Sequence, residues 1–262
     1  MSTPITSLFD VEGKVALVTG GTSGIGKMIA RGLVEAGMRV YVSSRKPDAC
    51  EAVAAELGGD GLCIGVPADI SKPADVERLV TALGESESEL HLLVNNAGTT
   101  WGDPLETYPD AAFAKVLDLN VRAVFRLTVE LLPLLAAAGR EADPARVVNV
   151  SSIEATRVPE WENYAYPASK AAVEMLTRQL ARRLAPRHIT VNAIAPGPFP
   201  SRMISFAQED PQLWAELLDR IPLGRAGESA DAVGAVVFLA SRAGAYLTGA
   251  VVPLDGGFVS VG

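Results

Sequence analysis

Tyr166 and Lys170 stand four residues apart in the string Tyr166-Pro167-Ala168-Ser169-Lys170. With Pro167 in the first turn of a helix, where its missing N–H costs nothing, that spacing puts the phenol and the ammonium on one helical face. Reduction of a ketone needs a hydride on carbon and a proton on oxygen. A phenol of pKa about 10 exchanges that proton poorly near neutrality. A neighbouring ammonium stabilises the phenolate and lowers its pKa, which is the service expected of Lys170. Ser152 lies fourteen positions upstream of Tyr166, just past a strand end, where its hydroxyl can bond the substrate oxygen. Tyr164 is the rival phenol, but its partner one turn on is Ala168, so it gains no ammonium; Ser151 is the rival hydroxyl and ranks second.

A second constellation suits a dinucleotide. Thr19-Gly20-Gly21-Thr22-Ser23-Gly24-Ile25-Gly26 follows an apolar strand and opens a helix. Gly20, Gly24 and Gly26 let the chain turn sharply, so that Thr22, Ser23 and Ile25 come close to a pyrophosphate held at the helix N-terminus. The same stretch mimics a nucleoside-triphosphate loop, since Gly21 to Lys27 fits G-x-x-x-x-G-K, but Met28 stands where a hydroxyl must hold Mg²⁺. That reading is rejected. After the second strand come Ser44, Arg45 and Lys46, with no acid before Asp48. A carboxylate there would take ribose hydroxyls, whereas a hydroxyl and two cations welcome a 2′-phosphate, so NADP(H) is expected over NAD(H). Asp69, followed by Ile70, can accept from an adenine amino group or simply shape the turn before Pro73.

These residues have to be positioned by something. Apolar strands alternate with helix-length segments throughout: strands at 14–19, 39–43, 62–67, 90–94, 146–150, 190–194 and 251–254, and helices at 24–36, 47–57, 74–83, 111–138, 167–184 and 230–239. Strands such as Val15–Thr19 and Leu92–Asn95 are apolar on both faces, as in a parallel sheet covered on both sides. The expected fold is α/β, a single-domain Rossmann-type doubly wound parallel sheet of about seven strands with helices on both faces. Ligands of such sheets bind beyond the carboxyl ends of the strands, which is where each motif above falls. No linker divides residues 1–262. Residues 199–223, with Pro200, Pro211 and Pro222 (and Pro198 just before) and with Met203, Phe206 and Trp214, are expected to form a substrate loop or lid.

Composition removes other classes. The formal net charge of −8 argues against nucleic acid or an anionic membrane as partner. The longest apolar runs fall far short of the roughly 20 residues that span a bilayer, and Met1–Asp10 lacks the pattern of a secretion signal. The two histidines, His91 and His188, are too few for a His-based metal site, and no metal is expected. Cys50 and Cys63 fit a reducing, cytoplasmic setting as buried thiols.

Taken together, Thr-Gly-x-x-x-Gly-x-Gly at 19–26, Asn-Asn-Ala-Gly at 95–98, Ser-Ser at 151–152, Tyr-x-x-x-Lys at 166–170 and Pro-Gly at 196–197 resemble the short-chain dehydrogenase/reductase family over nearly the whole chain. The resemblance implies a catalytic tetrad: Tyr166 as acid/base, Lys170 lowering its pKa and holding the nicotinamide ribose, Ser152 positioning the carbonyl, and Asn120 carrying a water that extends a proton relay from Lys170. It implies that Asn95, Asn96, Ala97 and Gly98 line the adenosine side of the cofactor and Pro196 and Gly197 the nicotinamide, with Ile194 and Phe199 near the ring. Strings at 96–102 and 195–203 are similar to those of 3-oxoacyl reductases, which implies a β-ketoacyl thioester and NADPH. Two features depart from that pattern. Ser23 replaces an arginine common in NADPH-using relatives, and Glu154–Asn163, with Trp161 among three glutamates, would overhang the site. Docking an acidic acyl carrier protein onto this acidic chain needs a local basic patch, for which Arg122, Arg126 and Arg157 are candidates. The resemblance also implies a homotetramer, with residues 247–257 at one interface. Two alternatives stay open: the same chemistry on a sugar, polyol or cyclic alcohol, and a non-catalytic NADP(H)-sensing protein, a class whose members usually lack Tyr-x-x-x-Lys.

Overall fold

A computed structural model describes residues 4–58, 61–201, 204–259 and 261. Seven parallel strands form one sheet in the order β3-β2-β1-β4-β5-β6-β7: β1 Val15–Thr19, β2 Arg39–Ser43, β3 Cys63–Gly65, β4 Leu92–Asn95, β5 Ala145–Val150, β6 Ile189–Pro196 and β7 Val251–Leu254. The chain winds outward from β1 to β3, then returns to start again at β4, next to β1. That reversal leaves a crevice between the carboxyl ends of β1 and β4. Register is fixed by main-chain pairing, with Val15 to Thr19 opposite Arg39 to Ser43 and Ala145 to Val150 opposite Ile189 to Ile194. Every residue of β1, β4, β5 and β6 is buried, which explains their largely apolar character; the polar exceptions include Arg146, Asn149 and Asn192.

Helices cover both faces: α1 Gly24–Glu35, α2 Pro47–Leu57, α3 Pro73–Ser86, α4 Asp110–Leu117, α5 Ala123–Glu130, α6 Leu132–Ala138, α7 Ala165–Leu184, α8 Ser205–Gln208, α9 Pro211–Asp219 and α10 Ser229–Ala240. One core layer joins Ile29, Leu33, Val40, Val94 and Val148 to Val236 and Leu239, the other joins Leu17, Leu79, Leu93 and Val147 to Leu127, Leu135 and Leu180. The third strand is shorter than its apolar run suggests, and α3 starts one residue earlier and ends three later than its periodicity predicts. The long helix expected over 111–138 is broken: Asp118–Arg122 is a π-turn, and Pro133 in the first turn of α6 marks a second start. A π-turn widens the helix by one residue and often accompanies a functional site; this one contains Asn120. Both cysteines are free and buried, and burial pushes the Cys63 thiol up to about 11. Among the described residues, no helix is long and apolar enough to cross a membrane.

Glycine sets the tightest approach in the helical layer. A Cβ on Gly32 of α1 would lie 2.4 Å from both methyl carbons of Val233 on α10. Gly32→Ala is therefore expected to destabilise the protein by about 1–3 kcal/mol through overpacking. Val233→Ala in the same chain should recover most of the loss in thermal unfolding, because it vacates the space that the new methyl occupies. An undiminished loss in the double variant would mean that the two helices do not meet there.

Candidate active site

One cleft of about 740 Å³ runs along the carboxyl edge of the sheet. At its floor, Thr19 ends β1 and ties the two halves of the sheet together. Its hydroxyl donates to the Val94 carbonyl at 3.3 Å and accepts from the Asn96 and Ala97 N–H groups at 3.0 and 3.1 Å. Gly20 has φ +64 and Gly24 φ +53, the left-handed region that favours glycine. The amino end of α1 then opens into the cleft with Ser23 as an N-cap whose side chain makes no capping bond, so its N–H groups are available to an anion. Thr22, Ser23, Gly24 and Ile25 line this end, and Ser44, Arg45, Lys46, Asp69 and Ile70 line the region beyond β2 and β3. Asp69 shapes the turn, its Oδ1 accepting from the Ser71 N–H and hydroxyl at 3.2 and 2.7 Å, and the residue lines the cleft.

The fit to a dinucleotide is good on this structure's own evidence. The glycine cradle and the free helix end stand beside two exposed cations, Arg45 and Lys46. The buried hydroxyls of Ser43 and Thr100, on residues that line the cleft, have no partner among the described residues. Asn96, Ala97, Gly98, Pro196, Gly197 and Phe199 continue the lining toward the other end. Three expected contacts fall elsewhere. Gly26 is packed away from the cleft, because a Cβ there would lie 2.3 Å from the Asn96 amide and 2.4 Å from the Gly20 carbonyl. Its role is to let α1 approach the turn. Ile194 is fully buried in the core, and Asn95 binds Thr128 and Asn149 inside the sheet at 3.2 and 2.9 Å. The rejected triphosphate reading fares no better here, since Lys27 turns outward to pair with Glu56 at 2.6 Å.

Tyr166, Lys170 and Ser152 converge where β5 ends. Ser152 caps the 3-10 turn Ile153–Ala155, its hydroxyl accepting the Glu154 N–H at 3.2 Å. Tyr166 and Lys170 lie one turn apart on α7, both buried, with the ammonium 5.5 Å from the phenol ring centre. The expectation that Lys170 acidifies the phenol is not met by this geometry. The ammonium donates to the Val150 carbonyl at 2.6 Å, and burial draws its pKa down to about 8. Burial, followed by the Glu154 carboxylate, pushes the phenol above its ordinary range, opposed by the neighbouring Ser152 hydroxyl. The protein by itself keeps the phenol protonated. Asn120 is 1% exposed and does not line the cleft. Its amide donates to the Thr99 carbonyl and the Ser169 hydroxyl, both at 2.9 Å, and accepts the Thr99 N–H at 2.9 Å, fastening the loop after β4 to α7.

The rivals are resolved by contact. Ser151 turns its hydroxyl to Glu174 and the Lys170 carbonyl at 3.1 and 3.3 Å. Tyr164 lies outside the cleft lining and donates to Glu162 at 3.1 Å. Arg122, Arg126 and Arg157 do not converge: the first two line a separate shallow pocket on α5, while Arg157 faces the main cleft and stacks on Phe258 at 4.5 Å. The overhang expected of Glu154–Asn163 is present, with Glu154, Trp161 and Asn163 among the lining. Within 199–223, Ile204, Phe206 and Leu217 face the cleft and Trp214 does not; Met203 lies outside the described residues. Trp161 meets Phe206 edge-on at 5.3 Å, linking overhang and roof. Arg220 and Phe258 at the mouth had no sequence signal, because their approach depends on how the C-terminus folds back.

With this geometry in hand, the class is settled: a family model described as enoyl-(acyl carrier protein) reductase matches residues 20–259, and the chain belongs to the short-chain dehydrogenase/reductase family of oxidoreductases. It is 47% identical over 250 residues to the rhamnolipids biosynthesis 3-oxoacyl-(acyl-carrier-protein) reductase of Pseudomonas aeruginosa, covering 95% of this chain and 98% of that one. It is 37% identical to the L-tagatose-forming galactitol 2-dehydrogenase of Cereibacter sphaeroides, covering 96% and 97%. Among solved structures, the Pseudomonas aeruginosa RhlG/NADP active-site complex superposes with a TM-score of 0.93 at 47% identity, covering 96% of this chain and 98% of that one.

Lys170 carries a stability signature. Its folded pKa, about 8, lies below the ordinary 10.5, so the cost of burying its charge stands in full below pH 8 and vanishes as pH rises toward 10.5. Lys170→Met should raise the unfolding temperature more at pH 7 than at pH 10. A gain that is the same at both values would mean that the ammonium is not desolvated.

Proposed function

We propose that this protein is an NADP(H)-dependent reductase that transfers a hydride between nicotinamide and a ketone or secondary alcohol, with 3-oxoacyl thioesters and similar ketones as the favoured substrates. The observation that carries the reading is the meeting of Ser152, Tyr166 and Lys170 with the glycine cradle in one cleft. The cofactor supplies the hydride and, in its oxidised form, a positive charge. Ser152 hydrogen-bonds the substrate oxygen and Tyr166 passes the proton to it. Lys170 fixes the nicotinamide ribose, and Asn120 holds the relay water of the tetrad from behind. Phenol acidification then depends on the charge of the bound cofactor together with Lys170. Gly20, Thr22, Ser23, Gly24 and Ile25 hold the pyrophosphate; Ser44, Arg45 and Lys46 hold the 2′-phosphate.

The thioester reading draws on the 47% identical Pseudomonas reductase and on the apolar mouth formed by Ile153, Ile204, Phe206, Leu217 and Phe258, which suits an acyl chain. Residues 199–223 act as its lid. A sugar or polyol dehydrogenase is the second reading, favoured by the carboxylate of Glu154 in the cleft and by the galactitol relative. We read the protein as cytoplasmic and homotetrameric; Phe113, Phe125, Val129 and Met175 leave apolar surface on α4, α5 and α7 for subunits to cover.

Tyr166→Phe should lower turnover by at least about 100-fold, the scale of a lost general acid, with NADPH affinity nearly intact; unchanged turnover would remove the mechanism. Arg45→Asp should weaken NADPH binding, read by nicotinamide fluorescence, while leaving NADH almost unaffected. Equal losses for both cofactors would defeat the 2′-phosphate assignment. A panel of acetoacetyl-CoA, small diketones and sugar alcohols separates the two substrate readings, the first predicting NADPH consumption with acetoacetyl-CoA.

A further inference from the structure

Two polar groups in the cleft have no part in the hydride or proton transfer. Glu154 stands two residues beyond Ser152, and Asn163 three residues before Tyr166. Each is tied to the reacting centre through its main chain: the Glu154 N–H donates to the Ser152 hydroxyl at 3.2 Å, and the Asn163 carbonyl accepts the Tyr166 N–H at 2.8 Å. Their side chains are tied to each other, because the Asn163 amide donates to Glu154 Oε2 at 2.9 Å. Both residues line the cleft.

That single contact fixes what the pair can recognise. Asn163 is 92% buried, being 8% exposed, and its Oδ1 finds no donor among the described residues. A buried acceptor left unmade costs about 1–3 kcal/mol. Turning the amide over would not relieve it, because the oxygen would then face the carboxylate. The fold accepts an orphaned oxygen in order to hold Glu154 by a donor, and unsatisfied groups of this kind call for a functional reason. No described side chain donates to Glu154 Oε1, so a half-buried carboxylate oxygen beside Ser152 and Tyr166 is left as a hydrogen-bond acceptor. An anion would be repelled here. A cationic ligand would stand against the Lys170 ammonium and the Arg157 guanidinium, whose charge already reaches Glu154. An uncharged donor meets neither objection.

We infer that Glu154, oriented by Asn163, is a specificity-determining acceptor that selects ketones and alcohols carrying a hydroxyl or amide N–H close to the reacting carbon. The inference rests on the reductase reading and narrows its substrate class. A hydroxyl on a neighbouring carbon would supply the donor directly, and the first amide of a pantetheine thioester is another source of the same chemistry. Sites that hydrogen-bond a substrate group discriminate strongly against analogues that lack it, because the buried partner is then left unpaired.

The test uses two matched pairs with NADPH and the full-length protein. The hydroxyl arm compares 1-hydroxy-2-butanone with 1-methoxy-2-butanone. The amide arm compares acetoacetyl-N-acetylcysteamine with its N-methyl amide. In the parent, kcat/KM should favour the donor-bearing member of at least one pair by roughly 10-fold or more, on the order expected for a hydrogen bond to a charged group. The arm that responds identifies the source of the donor. Glu154→Leu should bring that ratio close to one, and Glu154→Gln, which keeps one acceptor, should give an intermediate value. A preference caused by the bulk of the capping methyl, or a general loss of fold, would leave the ratio unchanged; thermal melts and NADPH fluorescence check that each variant is folded. Equal ratios in all three proteins overturn the assignment and leave the reductase reading standing. No turnover of any of the four ketones, with NADPH bound, overturns both.

Discussion

The burial of a phenol and an ammonium on one turn of α7, against the end of β5, is the constraint around which the molecule is arranged. Removing such groups from water disfavours the charged form of each. Tyr166 is therefore held protonated, and Lys170 is brought within reach of neutrality at about 8. The fold accommodates this by giving Lys170 the Val150 carbonyl at 2.6 Å and giving Tyr166 the neighbouring Ser152. The site is in consequence a proton donor in waiting, and a change of charge in the adjoining cleft is what would turn it toward proton exchange.

The rest of the architecture keeps that turn of helix in place. Parallel strands bring β1, β4, β5 and β6 to a common edge, so that residues far apart in the chain share one cleft. Thr19 binds the end of β1 to the start of the loop after β4. Asn120, in its π-turn, binds that same loop to Ser169 on α7. Inside the sheet, Asn95 bonds Asn149 at 2.9 Å, and Asn149 bonds Thr177 of α7 at 2.8 Å. This chain of buried amides and hydroxyls fixes the helix relative to β1, β4 and β5, with Asn95 Oδ1 the one member left without a partner among the described residues. Asn120 thus acts on position as well as on any proton path.

Much of this was legible from residue order. Strands buried on both faces carry mostly apolar runs, and Tyr-x-x-x-Lys obeys helical spacing, so the sheet, its winding and the Ser152–Tyr166–Lys170 convergence could all be anticipated. Where the reading missed, the cause lay in side-chain direction. Gly26 belongs to the glycine motif but faces the turn it packs on, and Ile194 precedes the cleft residues yet points into the core. Arg122 and Arg126 share a helix face remote from Arg157. The π-turn at 118–122 leaves no periodicity signal, since one extra residue only shifts the apolar pattern. The state of the phenol was the largest gap: an ammonium one turn away suggests acidification, but whether it reaches the oxygen or a backbone carbonyl depends on atoms that spacing does not specify.

The central claim is that the protein alone keeps Tyr166 protonated and that the oxidised cofactor's charge releases it. Ultraviolet difference titration of the tyrosinate signal, taken as parent minus Tyr166→Phe, tests this with and without saturating NADP⁺. The account predicts ionisation above the ordinary phenol range for the protein alone and a clear downward shift with NADP⁺ bound. Ionisation below that range in the protein alone, or a titration that NADP⁺ leaves unmoved, would contradict it.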